Sequence, residues 1–387
     1  MIGEAYAAAV PLVGGFGQAV ITPELPVMLA GFGERHEPAA EVHDDLEVRA
    51  LYLGDDEGGA GVCLLVCDLL GMSTSFAMPV REAVADLLGL PLAAVLSAST
   101  HTHSGPSCIA GSEAVGWPTP PRYRDVLVAG CGEAAVRARQ RAAPACLAYR
   151  RADLPDGLSV NRRGLPYSPW LALLDVRAEG GEGSGERIGL LANLAVHPVA
   201  LGPQCLAVSA DWVGPFRSAL EASLGGTAVM LSGALGDVNP RHVHRQYNLC
   251  AADGFAEADE LAQELAQAVA AEVGEAEPLD GALDVLRSEP VDAPVGQTLL
   301  GSMAGAATMR ADLVEWSLAG VRLVSVPGEA FHAFGKAVEA SRQAPVLLAG
   351  LAPVWLGYLP VPFGEGYEES MSYGEPFVAA LLSALTG

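Results

Sequence analysis

The chain has 387 residues, about half of them apolar, so it can bury the core of one large domain or of two smaller ones. Its 46 acidic residues outnumber 22 basic ones, giving a formal charge of −24, and Lys336 is the single lysine. Binding to nucleic acid needs clustered Lys and Arg against the phosphates, so this charge balance argues against a nucleic acid partner.

Targeting signals are weak in this sequence. No apolar run reaches the roughly 18 to 20 residues of a transmembrane helix, and Met1 to Tyr6 lacks the basic segment that opens a signal peptide. The seven cysteines include no Cys-x-x-Cys pair, which favours reduced, mostly buried thiols. We therefore expect a cytoplasmic protein without a transmembrane segment, whose oligomeric state the sequence leaves open.

Hydrophobic patterning predicts strands and helices mixed along the whole chain. The predicted strands cover 18–22, 46–53, 62–70, 93–96, 145–151, 171–177, 188–196, 228–231, 282–286, 313–317, 321–326 and 346–351. The predicted helices cover 76–88, 122–142, 211–223, 257–273 and 329–342, followed by a Gly- and Tyr-rich tail. Two apparent hairpins and the absence of a linker favour an α/β fold with mixed β-sheets covered by helices, in a single large catalytic domain spanning 1–387.

Two histidines follow the fourth predicted strand, in the segment Thr-His-Thr-His-Ser-Gly-Pro at 100–106. If the chain is still extended there, His101 and His103 point to the same side, at a strand end where α/β folds place their sites. Imidazole is a preferred zinc ligand, and a catalytic zinc usually has three protein ligands and an open position. Two surface histidines on a loop are the alternative. The loop at 104–121 that follows is long enough to form a lid or a substrate wall.

Two further strand ends carry possible metal ligands. His197 follows the strand 188–196 and precedes Pro198, while Glu329 follows the strand 321–326 and a Pro-Gly turn. Capping of the helix that begins at Glu329 would also explain this carboxylate. Three strand ends offering His, His and Glu are nevertheless the ligand types of a catalytic zinc site.

A Gly-rich turn at 232–241 follows another buried strand, and its amides are candidates to donate to an oxyanion. An ordinary turn is the alternative. His242 and His244 form a second His-x-His in an Arg-containing loop, with a weaker claim to a metal.

The ordered motifs resemble those of the neutral/alkaline non-lysosomal ceramidases, and the resemblance covers the chain as that family's amino-terminal catalytic domain. The motifs are the 100–106 segment, Asn161-Arg162, Val196-His197-Pro198, Gly236-Asp237-Val238-Asn239-Pro240, Pro327-Gly328-Glu329 and Gly357-Tyr358. The resemblance implies a zinc ion held by His101, His197, Glu329 and Tyr358. It also implies that His103 lies beside the zinc and that Arg162 and Tyr367 face the scissile group.

Two departures accompany the resemblance. A serine assigned as a nucleophile in the family stands three residues before the Gly-Asp-Val turn, where this chain has Gly233, with Ser232 one place away. The carboxy-terminal immunoglobulin-like domain of the family is not expected here. The resemblance also implies that Glu365, Glu368 and Glu369 surround Tyr367, and a solvated acidic loop is the alternative for these three residues.

We therefore expect a zinc-dependent hydrolase that cleaves the amide bond of a small N-acyl substrate, with zinc-activated water as nucleophile. His103 would move a proton to the leaving group, and Arg162 or Tyr367 would hold the oxyanion. Three alternatives stay open: an esterase or lactonase using the same zinc, a non-catalytic metal-containing binding protein, and a serine hydrolase using Ser232 or Ser104.

Overall fold

The structure is a computed structural model that describes residues 12–55, 61–180, 185–241 and 251–387. Its strands are β1 Leu12–Val20, β2 Glu41–Val42, β3 Glu47–Asp55, β4 Gly61–Cys67, β5 Val95–Ser99, β6 Ala143–Asp153, β7 Ser159–Asn161, β8 Trp170–Ala178, β9 Arg187–Leu194, β10 Ala207–Val208, β11 Thr227–Ser232, β12 Val238–Pro240, β13 Glu277–Pro278, β14 Leu283–Pro294, β15 Thr308–Leu318, β16 Val321–Val326, β17 Glu329–Ala330, β18 Val346–Gly350 and β19 Tyr358–Leu359. Its α-helices are α1 Thr74–Leu88, α2 Tyr123–Gln140, α3 Val213–Leu224, α4 Ala251–Val273, α5 Leu299–Met303, α6 His332–Ala340, α7 Tyr367–Ser370 and α8 Glu375–Thr386.

A nine-stranded mixed sheet forms the centre of the fold. Its strand order is β11-β9-β8-β6-β1-β3-β4-β5, and β13 pairs with β6. The pairs β4/β5 and β9/β11 are parallel, whereas the other pairs are antiparallel. Alternate residues of the apolar strands point to opposite faces, and helices α1 to α4 pack on one of these faces. The predicted hairpin at 46–68 is confirmed as β3 and β4.

A four-stranded sheet, β14-β15-β16-β18, packs on the opposite face of the central sheet. Asn193 of β9 joins the two sheets, because its side chain donates to Leu348 O at 3.0 Å and accepts from Leu348 N at 2.9 Å. Helices α6 and α8 lie beside this second sheet. The fold is therefore one domain of mixed sheets covered by helices, which confirms the predicted fold class.

Two local predictions were wrong. Glu329 does not begin a helix: it lies in β17, and α6 begins only at His332. His101 is not extended, because its backbone turns into the left-handed region at φ 76°. The Gly- and Tyr-rich tail, for which the sequence predicted no element, contains the helices α7 and α8.

Some sequence features fall elsewhere. His242 and His244 lie outside the described residues. The described cysteines are free thiols, buried apart from Cys146. In the described part of the chain, no helix combines the length and apolar character required to cross a membrane.

Candidate metal centre and cavity

Three buried histidines converge although they follow different strands. His101 and His103 come after β5, and His197 comes after β9. The ring centroids of His101 lie 4.9 Å from those of His103 and 4.7 Å from those of His197. One nitrogen from each ring lies within 4.8 Å of the others. This histidine triad can bind a metal ion.

Backbone carbonyls fix the orientation of two of these rings. His101 Nδ1 lies 2.5 Å from Leu70 O, and His197 Nδ1 lies 2.9 Å from Leu235 O. Since each Nδ1–H donates to a carbonyl, each Nε2 carries a lone pair, which is the arrangement of metal-ligating histidines. The left-handed backbone of His101 costs about 1–3 kcal/mol, a strain that proteins concentrate at functional sites.

Glu329 completes a set of converging atoms. Its Oε2 lies 3.1 Å from His101 Nε2 and 3.4 Å from His197 Nε2. Within the described residues, none of these three buried atoms makes a well-formed hydrogen bond. Bonds of about 2.0–2.1 Å around a tetrahedral zinc place neighbouring ligand atoms about 3.4 Å apart. The three atoms therefore fit the donor set and spacing of a zinc site.

Charge points the same way. Burial lowers the pKa of His197 to about 4, so the ring is neutral at pH 7. Burial alone would raise the pKa of Glu329, but its pairing with His101 and His197 outweighs burial and lowers that pKa well below its ordinary value. The Nε2 atoms and the ionised carboxylate oxygen are stabilised by positive charge between them, which is the charge that a bound metal cation would carry.

Tyr358 lies opposite Glu329 in the parallel pair of β17 and β19, and it is 6% exposed. Burial raises the pKa of its phenol well above the ordinary value, and the neighbouring Glu329 carboxylate raises it further. The Arg162 guanidinium lies 5.5 Å from the Tyr358 ring centroid. The structure thus brings Tyr358 into the cluster with the histidines and Glu329.

The Gly-Asp-Val turn holds Arg162. Arg162 N donates to Asp237 O at 2.9 Å, and its guanidinium donates to Gly236 O at 2.6 Å and pairs with Glu368 at 2.9 Å. Burial works to lower the pKa of Arg162, but Tyr358 and Glu368 outweigh burial and raise it, so the cation persists. A Cβ at Gly236 would lie 2.4 Å from Glu329 O, so only glycine lets this turn pack on β17.

Tyr367 lies at the start of α7, where its side chain is 61% exposed and lines the cavity. Two of the three acidic residues around it are not solvated, whereas Glu365 is exposed. Glu368 and Glu369 are buried and pair with Arg163 at 3.0 Å each. Glu368 pairs with Arg162 as well. These ion pairs fasten α7 beside the candidate metal centre.

A cavity of about 700 Å³ opens onto the site. Its polar lining includes His103, Arg162, His197, Asn239, Tyr358 and Tyr367, and its apolar lining includes Phe32, Val115, Trp117, Val199 and Met371. Val115 and Trp117 show that the loop at 104–121 forms part of the wall. Gly31, at φ 108°, lies behind His103, because a Cβ there would fall 2.4 Å from His103 Nδ1.

The structure separates the remaining predicted site residues from the cavity. Ser232 is fully buried and donates its hydroxyl to Thr100 O at 2.9 Å, and it is not among the lining residues. The amides of the 232–241 turn are already used: Gly233 N donates to Leu194 O at 2.8 Å and Gly236 N to Ala330 O at 2.7 Å. These two glycine amides therefore cannot also serve an oxyanion in this conformation.

Two residues of the site were missed from the sequence. Trp355 Nε1 donates to Glu329 Oε1 at 2.8 Å and so orients the carboxylate. Asn239 is buried in the cavity wall. The Asn239 position could have been singled out because it follows the Gly-Asp-Val turn, whereas no local signal marks Trp355.

Known structures provide the decisive comparison. The neutral ceramidase from Pseudomonas aeruginosa superposes with a TM-score of 0.82 at 19% identity, over 97% of this chain and 74% of that chain. The chain has the neutral ceramidase fold. A second structure, of a ceramidase complexed with C2, gives a TM-score of 0.79 at 18% identity, again over 97% and 74% of the two chains. No family model matches the sequence, and no curated protein matches it either.

The ceramidase fold confirms the predicted resemblance at the level of structure. At this identity the superposition carries the fold and not the activity. The case for a function therefore depends on the geometry of the chain's own residues.

Proposed function

We propose that the chain is a zinc-dependent hydrolase that cleaves the amide bond of an N-acyl compound. The observation that carries this proposal is the convergence of His101 Nε2, His197 Nε2 and Glu329 Oε2, three buried atoms without well-formed hydrogen bonds among the described residues, at distances of 3.1 and 3.4 Å. The likeness to two ceramidase structures supports the same class of substrate.

His101, His197 and Glu329 would hold the zinc, with Tyr358 beside them. Zinc bound there would supply Lewis acidity to a substrate carbonyl and lower the pKa of a coordinated water towards about 7. The apolar lining of the cavity suits an acyl chain, because burying apolar surface is favourable.

The neighbouring side chains supply proton transfer and charge. Neither ring nitrogen of His103 has a hydrogen-bond partner among the described residues, so one is free to take a proton and would pass it to a leaving amine. Burial lowers the pKa of His103 well below its ordinary value, so the ring is neutral at rest and would release a captured proton readily. Arg162 and Tyr367 line the cavity, where the Arg162 cation and the Tyr367 hydroxyl would stabilise negative charge on the carbonyl oxygen.

Metal analysis and substrate turnover test the proposal together. Protein expressed with ample zinc should contain close to one zinc ion per chain, as an open catalytic site requires, and less than about 0.2 would defeat the proposal. Stripping the metal with a chelator should abolish hydrolysis, and added zinc should restore it. A panel of N-acyl amides, esters and lactones should include cleaved amides. A zinc-loaded protein that cleaves none of them is not the proposed enzyme.

Two variants separate Glu329 from His103 as the third ligand. Glu329→Gln should weaken zinc binding strongly, because it removes the charged oxygen nearest both Nε2 atoms. His103→Gln should keep the zinc and lose turnover. The opposite pattern would assign the metal to the three histidines instead.

A further inference from the structure

Asn239 presents an unused hydrogen-bond acceptor in the cavity wall. The residue is 5% exposed, and its Oδ1 is buried and has no hydrogen-bond partner among the described residues. Leaving a buried acceptor without a donor costs about 1–3 kcal/mol. A ligand that brings a donor to this atom would recover that free energy.

The two residues before Asn239 bind the backbone of two other cavity residues, His197 and Arg162. The preceding Val238 O accepts from His197 N at 3.0 Å, and Asp237 O accepts from Arg162 N at 2.9 Å. Asn239 therefore directly follows Asp237 and Val238, whose backbone carbonyls hold Arg162 and the candidate metal ligand His197.

The position of Asn239 is also fixed. Strand β12 pairs with β7, with Asn239 opposite Val160 and Pro240 opposite Ser159. Arg241 N donates to Leu158 O at 3.2 Å just beyond. These backbone pairings hold strand β12 in place on both sides of Asn239. A hydrogen bond to the Asn239 side chain therefore depends on where the substrate binds and not on movement of the strand.

We propose that Asn239 Oδ1 accepts a hydrogen bond from the N–H of the scissile amide, so that the site selects secondary amides. This inference rests on the proposed amide hydrolase function and narrows its substrate class. An ester or a lactone has no hydrogen on the corresponding oxygen and leaves Asn239 unsatisfied. A site built to bond a substrate N–H discriminates strongly against analogues that lack it.

Binding to the metal-stripped protein tests the contact without hydrolysis. The two probes are N-ethyldecanamide and its N-methyl derivative, which differ by replacement of the amide hydrogen. Calorimetric titration of the wild-type chain should give at least about fivefold tighter binding of the secondary amide, from the cost of the unpaired acceptor.

Three variants make the test specific for the acceptor. Asn239→Leu and Asn239→Ala should bring the ratio of the two affinities close to one. Asn239→Asp keeps an acceptor oxygen at the same place and should retain the preference for the secondary amide. Urea unfolding of each variant identifies any that fails to fold, and the ratio is compared among the folded ones.

The outcomes separate this inference from the proposed function. A wild-type ratio near one, an unchanged ratio in both Asn239→Leu and Asn239→Ala, or failure of the wild type to bind either amide would overturn the inference. Hydrolysis by the zinc-loaded wild type is measured separately. A retained preference without hydrolysis defeats the enzyme proposal alone, whereas hydrolysis without a preference defeats the role of Asn239 alone.

Discussion

Two parts of the site are built in different ways. The histidine wall, consisting of His101, His103 and His197, is buried, and backbone carbonyls that follow core strands orient the rings of His101 and His197. The arginine clamp, consisting of Arg162, Arg163, Glu368 and Glu369, lies nearer the surface and is held by ion pairs between side chains that are 4% to 25% exposed.

A buried ion pair lies next to the segment that orients His101. Arg217 donates to both Asp68 oxygens, at 2.9 and 2.7 Å, with the side chains 3% and 0% exposed. Asp68 directly precedes the two residues whose carbonyls accept from His101, Leu69 and Leu70. A buried pair is costly to break, whereas an exposed pair contributes little. The comparison indicates a rigid histidine wall and a more tolerant arginine clamp.

The largest effect is expected from His197→Ala on the histidine wall. Losing a ligand from an open zinc site should remove the bound metal and lower kcat/KM at least about 10³-fold, since the metal supplies several kcal/mol of transition-state stabilisation. Metal analysis and steady-state kinetics measure both. His36→Ala, at an exposed histidine, is the matched control. Retention of full zinc by His197→Ala would show that the histidine wall does not hold the metal.

Arg217→Met should cost about 3–5 kcal/mol of unfolding free energy, because it leaves the Asp68 carboxylate buried and unpaired. Urea denaturation measures the loss. The double variant Arg217→Met with Asp68→Leu should recover much of it, since an apolar pair removes the isolated charge. A loss below about 1 kcal/mol in the single variant would place this pair with the surface ion pairs.

Trp355→Phe tests the partner that orients Glu329. It removes the indole N–H donated to Glu329 Oε1 at 2.8 Å and keeps an aromatic ring. Loss of such an outer partner typically weakens metal binding about 10- to 100-fold. Competition with a chromophoric chelator measures the zinc affinity, and unchanged affinity would mean that the carboxylate is oriented without Trp355.

Arg163→Met on the arginine clamp should have a smaller effect on stability than Arg217→Met, because Arg163 is itself 25% exposed and Glu368 keeps its pair with Arg162. Zinc content should stay unchanged. KM should rise severalfold, since α7 and Tyr367 lose an anchor at the cavity mouth. Arg310→Met, at an exposed pair with Asp312, is the control. Loss of zinc in Arg163→Met would show that metal binding by the histidine wall depends on the arginine clamp.

Much of the fold could be predicted because an apolar run bounded by turn residues indicates a buried strand, whichever strand it pairs with in the sheet. The strand ends at His101 and His197 were predictable for this reason. The conformations at those ends were not: His101 turns left-handed to meet Leu69 and Leu70 carbonyls, and Glu329 stays extended to reach the histidines. Tertiary contacts override the local helix signal at Glu329.

The arginine clamp shows why other site features escaped prediction. Arg163 and Glu369 are 206 positions apart, so no local pattern indicates that they meet. A run of glutamates near a chain end looks the same in sequence whether it is solvated or paired. Asn239 differs, because its position beside the Gly-Asp-Val turn was visible and its unpaired oxygen was not.

Gly31 and Gly33 differ in whether a larger side chain could be introduced to change which compounds enter the cavity. Any larger residue at Gly31 would collide with the imidazole, so this position is closed to redesign. Gly33, two residues along the cavity lining, has no atom of the described residues within 4 Å of where a Cβ would stand. Side chains introduced at that second glycine would narrow the entrance while leaving the His103 imidazole in place, which makes Gly33 the natural starting point for a library of altered selectivity.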